Sequence, residues 1–164
     1  MKKFLAIALL GFGLAASGSA LAGAAQMFGK TTCYVFSNGK LQSKAQCQMY
    51  KEEGANSVYP TYGFDNYKVK TPKHGVISVI NSTSCERENW CESEHTINGK
   101  NATSQYRAAT KGYKILTEDQ AFKTKGALIC DKTNNGKLEI CTPIEKKGLS
   151  MGFDFDSLPS WTEN

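Results

Sequence analysis

The residue types best suited to chemistry are concentrated in SCERENWCESEH, residues 84 to 95. Cys85, Cys91 and His95, with Glu92 and Glu94 between them, are ligand types for zinc or copper, and an envelope metal-binding protein or enzyme would draw on this set. The competing reading is a small loop closed by a Cys85–Cys91 disulfide, its charges solvated and Trp90 folded over it. ICDKTNNGKLEIC, residues 129 to 141, poses the same choice. Two thiolates there supply only half of a tetrahedral zinc site, and no histidine lies nearby. An Asn-Gly between the cysteines points instead to a hairpin stapled by Cys130–Cys141.

Other catalytic signatures are missing from the sequence. There is no G-x-S-x-G, no H-E-x-x-H, no glycine-rich phosphate loop and no C-x-x-C. The second histidine, His74, is far from His95 in sequence, and carboxylate pairs such as Glu52-Glu53 fit surface faces. The expectation is a protein that is not an enzyme and carries no cofactor and no metal.

The chain opens MKKFLAIALLGFGLAASGSALAGAAQ. Lys2 and Lys3 form a basic n-region, Phe4 to Leu14 an apolar h-region, and Ala20-Leu21-Ala22 a small-residue cleavage site, the three parts of a secretory signal peptide. The apolar run is too short to span ~30 Å of hydrocarbon, so no membrane span is expected. Residues 1–22 are thus read as a signal peptide, and 23–164 as a single β-rich domain exported to the periplasm or the medium. Loss of Lys2 and Lys3 takes the net charge from +5 to +3. So mild and scattered an excess does not describe a nucleic-acid binder. All six cysteines lie after the signal, an even number in an oxidising compartment, which makes disulfides the default.

The elements that position these residues are announced by turns. Asn-Gly-Lys occurs at 38–40, 98–100 and 135–137, and Asn-Gly suits type I′ hairpins, which need positive φ at both central residues. A two-residue turn at Asn135-Gly136 opposes Thr133 to Leu138, Lys132 to Glu139, Asp131 to Ile140 and Cys130 to Cys141. A three-residue loop would instead face Asp131 with Glu139, two like charges. Cys33 and Cys47 are centred on Lys40, so their direct opposition calls for a three- or five-residue loop with Asn38-Gly39 off centre. Leu41, Ser43, Ala45, Cys47 and Met49 alternate with polar residues and read as a strand, with a helix ending at Gly54 as the competitor. TYGFDNYKVK, 61 to 70, reads as a hairpin turning at Asp65-Asn66. GVISVIN (75–81) reads as a central strand. Residues 101–110 read as a strand with Ala102, Ser104, Tyr106 and Ala108 on one face. GYKIL (112–116) and GALIC (126–130) add two more, with one helical turn started by Thr117 between them. The tail 151–164 could form an edge strand that frays after Pro159.

Together these give an all-β fold, a small antiparallel barrel or sandwich of about eight short strands joined by hairpins. Staples join neighbours in sequence: Cys33–Cys47, Cys85–Cys91 and Cys130–Cys141. Tyr59, beside Pro60, and Trp90 are the aromatics placed to anchor a partner from loops. The functional expectation is a non-enzymatic binding protein with an unknown protein or glycan partner. By architecture the chain resembles the small exported β-barrel proteins that inhibit lysozyme, although none of their motifs is matched residue by residue. Intact mass of the exported protein should correspond to a chain beginning at Gly23; a retained Met1 in the secreted fraction would overturn the signal-peptide reading.

Overall fold

A computed structural model describes residues 23–56, 60–87, 90–110 and 112–144. The segment read from sequence as a signal peptide (1–22), Tyr59 and the tail (151–164) lie outside the described residues. The chain forms β1 (Gly23–Ser37), β2 (Lys40–Asn56), β3 (Thr61–Thr71), β4 (Gly75–Arg87), β5 (Trp90–Ile97) and β6 (Lys100–Ala108). A two-residue β7 (Ile115–Leu116), the helix α1 (Glu118–Lys123), β8 (Ala127–Thr133) and β9 (Glu139–Pro143) follow. Thr117 caps α1 in a reciprocal capping box with Gln120, which satisfies N–H groups that the helix itself leaves free.

The sheet runs β5-β4-β3-β2-β1-β9-β8-β6, with β7 flanking β6, and a further β5–β6 pairing bends it into a ring. The fold is therefore all-β, antiparallel and disulfide-stapled as expected, and of the two expected forms, barrel or sandwich, the ring-like sheet is the barrel. Two of its seams are short. β5 meets β6 only at Thr96↔Asn101 and Ile97↔Lys100, and β1 meets β9 over Tyr34↔Cys141, Val35↔Ile140 and Phe36↔Glu139. Both ladders sit near the Asn-Gly turns. Away from those turns, among the described residues, the seams part.

Inward-facing residues near the turns are apolar. Cys33, Val35, Met49, Val69, Ile77, Val79, Ile97 and Ile140 pack into one core. A second apolar layer lies on the outside of β1, β8 and β9, where Tyr34, Phe36, Leu128, Cys130 and Cys141 are covered by Ala109 and Tyr113. The Tyr113 ring sits edge-on to Phe36 at 5.3 Å. This layer also buries Arg107, whose Nε and Nη2 donate to Glu139 at 2.5 and 2.8 Å. The planar guanidinium lies over the Phe36 ring, 4.7 Å from its centroid. A buried pair of this kind holds only because both charges are neutralised and hydrogen-bonded at once.

All three disulfides join the expected partners, but the local geometry departs from expectation in five places. Asn38-Gly39 is itself the β1–β2 turn, with φ of 51° and 74°. A bulge then shifts the register after Phe36↔Leu41, so Cys33 faces Ala45 and Thr31 faces Cys47. The bond therefore runs diagonally, over a Cα–Cα distance of 6.0 Å. The bulge also leaves Leu41 out of phase with Ser43 to Met49 and exposed. At 135–136 the register is as expected, with Cys130 opposite Cys141, but the turn is not type I′. Asn135 is outside the left-handed region, and its Oδ1 accepts from Lys137 N–H and Thr133 Oγ1. The loop is 134–137, closed by Gly136 N–H to Thr133 O at 2.7 Å.

The Asp65-Asn66 turn does not exist. β3 runs through it, paired to β2 at Glu53↔Asp65 and Glu52↔Asn66, while Asn66 Oδ1 accepts Asn81 N–H where the ladder to β4 is interrupted. The strand expected over 112–116 shrinks to β7, since Gly112 and Tyr113 adopt positive φ and fold back over the outer layer. The 85–91 segment is not a loop over which Trp90 folds. Cys85 and Cys91 face each other across a β4–β5 hairpin, and Trp90 is 68% exposed.

Asn98-Gly99, with φ of 49° and 72°, is the turn on which β5–β6 closure rests. A Cβ at Gly99 meets open space, so its backbone alone penalises a side chain. Gly99→Val should lower stability by about 1–3 kcal/mol and Gly99→Asn by much less. Gly63→Ala, also in open space but without positive φ, should stay within ~0.5 kcal/mol. Chemical denaturation of the three variants checks the order.

Candidate functional site

Strand by strand, the inner face changes from apolar to polar on moving away from the turns. β2 passes from Met49 to Lys51 and Glu53, β3 from Val69 to Tyr67 and Asp65, and β5 from Ile97 to His95 and Ser93. β6 passes from Ala102 to Ser104, and β8 from Thr133 to Asp131. The alternation that buries Cys47 and Met49 carries Lys51 inside with them, since side chains two apart share a face.

Lys51 is 1% exposed, and its Nζ lies 2.7 Å from Glu53 Oε2 and 3.3 Å from Asp65 Oδ2. An ammonium so far from water needs both carboxylates. Burial pushes the Asp65 carboxyl above its usual range, with Lys51 pulling it back. Its Oδ1 is buried without a hydrogen-bond partner.

Asp131 is the second centre. It accepts from Tyr67 Oη, from Ser104 Oγ at 3.1 Å and from His95 Nε2 at 2.8 Å. Tyr67 is held protonated because burial, and then the Asp131 charge, raise it well above its ordinary value. The hydrogen bond to Asp131 raises His95, partial burial opposes it, and the Asp131 charge adds to the rise. Ser104 lies directly opposite Asp131 in the β6–β8 ladder, whereas His95 reaches it across the parted β5–β6 seam. Ser104 Oγ and His95 Nε2 both bond the same carboxylate oxygen, Asp131 Oδ1. A serine–histidine–aspartate relay needs the histidine between the other two, whereas here Asp131 stands between Ser104 and His95.

The residues singled out from sequence are distributed differently. Cys85 and Cys91 are bonded to each other, four residues or more along the hairpin from His95, which belongs with Asp131. Glu92 and Glu94 are exposed, and Glu94 accepts from Thr96 Oγ1. His74 sits in the β3–β4 turn, its N–H on Thr71 Oγ1. Trp90 stands at the tip of the β4–β5 hairpin with Arg87 over its ring. Among the described residues, Cys130, Glu139 and Cys141 converge as metal-ligand types. Their two sulfurs are joined, and Glu139 is taken by Arg107 and Gln105. The expected Lys132–Glu139 charge pair is therefore not made, although the two residues do face each other.

Lys51, Asp65, Tyr67, Ser104 and Asp131 were not legible as a site. The available signal was a charge landing on the apolar phase of an alternating strand, as Lys51 does after Cys47 and Met49. No protein-family model, curated protein or solved structure matches the chain. Among the described residues no helix is long and apolar enough to cross a membrane.

The His95–Asp131 pair has a pH signature. Asp131 raises the folded-state pKa of His95 above 6.5, so its contribution to stability is fully present below about pH 6.5 and is lost as pH rises through the raised value. Thermal midpoints of the native protein should fall across that window relative to His95→Gln. Parallel profiles for the two proteins would show that the pair contributes nothing.

Proposed function

We propose that this is an exported, non-enzymatic binding protein of the periplasm or medium that recognises a protein or glycan partner at the barrel end opposite the Asn-Gly turns. Three disulfides suit an oxidising compartment. The observation that carries the reading is the polar interior at that end, where Lys51 and Asp131 already hold their neighbours in fixed geometry. Preorganised polar groups favour binding because little ordering remains to be done when a ligand arrives. Trp90, a large apolar ring exposed to solvent at the same end, is of the residue type most enriched among binding anchors.

One observation favours a second reading, inhibition of a basic glycosidase such as lysozyme. Glu86, Glu92 and Glu94 are exposed on the β4–β5 hairpin, close to Trp90. This gives that hairpin a local negative charge although the chain as a whole is positive, and complementarity acts between patches rather than net charges. The tagged mature protein should retain a partner from its own envelope fraction, and Trp90→Ala should lose it by about tenfold or more in affinity. A lysozyme lysis assay separates the two readings, since inhibition abolished by Trp90→Ala supports the second. Turnover of ester or glycoside substrates that disappears in His95→Gln would overturn both.

A further inference from the structure

The outer face of β1–β4 carries a different surface from the barrel end considered above. Even-numbered residues of these strands point outward, and the register aligns Lys30, Gln48, Lys70 and Val76 in one row. The next row is Phe28, Tyr50, Lys68 and Ser78. An open groove of about 590 Å³ lies on the first row, with Gln46 and Pro72 among its lining. Residues 27–51 and 67–85 contain no aspartate or glutamate. The carboxylate that follows on β2, Glu52, is already held by Tyr50 Oη and Gln26 Nε2. Lys30 and Lys70 are exposed and, among the described residues, make no ion pair.

We infer that this groove binds an acidic oligosaccharide. Lys30 and Lys70 stand two strands apart, so their backbones are separated by ~10 Å, a spacing that suits charges carried on separate sugar rings. Ammonium groups meet carboxylate or sulfate oxygens as point charges. Gln48 lies between them with an amide that can both donate to and accept from ring hydroxyls. Gln46 donates its Nε2 to Thr32 Oγ1 at 2.9 Å, which leaves its carbonyl oxygen to accept. Val76, 49% exposed, and the Phe28–Tyr50 pair, its rings tilted at 45° with centroids 4.7 Å apart, offer apolar contact to the C–H faces of the rings. Nucleic acid fits less well, because its affinity comes from many phosphate contacts and base stacking on free aromatic faces. An anionic membrane would call for a denser basic cluster.

The test is an NMR titration of the mature, oxidised protein with a galacturonic-acid hexamer, run beside maltohexaose, an oligoglutamate peptide and a thymidine 12-mer. The expected result is saturable, salt-sensitive binding of the acidic hexamer, with shifts centred on Lys30, Gln48, Lys70 and Val76 and none with maltohexaose. The double variant Lys30→Gln/Lys70→Gln should weaken it by about tenfold with an unchanged thermal midpoint. A lowered midpoint in that variant is met by repeating the titration with each single variant, which should each weaken binding. No binding, shifts centred elsewhere, equal binding of the neutral hexamer, or tighter binding of the peptide or the DNA would each overturn the inference.

Discussion

One carboxylate, Asp131, joins strands that no backbone ladder joins. It sits on β8 and holds Tyr67 of β3 from across the barrel and His95 of β5 from across the parted seam. Closing a sheet on itself forces every strand to present one face to a shared interior, and a charge placed there must be compensated by the other strands. Asp131 is compensated by three donors, and Lys51 by two carboxylates. The β5–β6 seam can afford so short a ladder because His95 continues the join through a side chain.

A second buried pair does similar work on the outside of the wall. Arg107 and Glu139 belong to β6 and β9, which are separated in the sheet by β8, and their bidentate contact spans it under the cover of Tyr113. Arg107 also donates to Tyr113 O, so the segment that covers the pair is tied to it. With Cys130–Cys141 alongside, this side of the barrel is held by a disulfide, an ion pair and apolar packing within one layer. The residues of that layer come from β1, β8 and β9 and none from β2–β4, and Lys30 of β1 and Lys70 of β3 are exposed.

Charge is thus sorted along the molecule. Lysines predominate on the outer wall of β1–β4, and glutamates on the exposed β4–β5 hairpin. A net charge of +5 averages over both and describes neither. Potentials act over roughly a Debye length, ~8–10 Å in physiological salt, so the two surfaces can attract different partners.

What could be read from the sequence was whatever near neighbours settle between themselves. The pairing of Cys130 with Cys141, the alternation through Ser43 to Met49 and the capping of α1 by Thr117 each depend on residues a few positions apart, whose geometry local backbone rules constrain. Even the wrong turn type at Asn135 left that register intact, because Thr133 still faces Leu138. The tertiary structure decided which distant groups meet. Asp65-Asn66 reads locally as a turn, yet pairing to β2 and the demand of buried Lys51 for a second carboxylate keep β3 extended. Tyr67 and Asp131 are 64 residues apart, and no spacing rule relates them. They meet because ring closure brings β3 and β8 to face one interior, where a carboxylate removed from water must find donors wherever the fold supplies them.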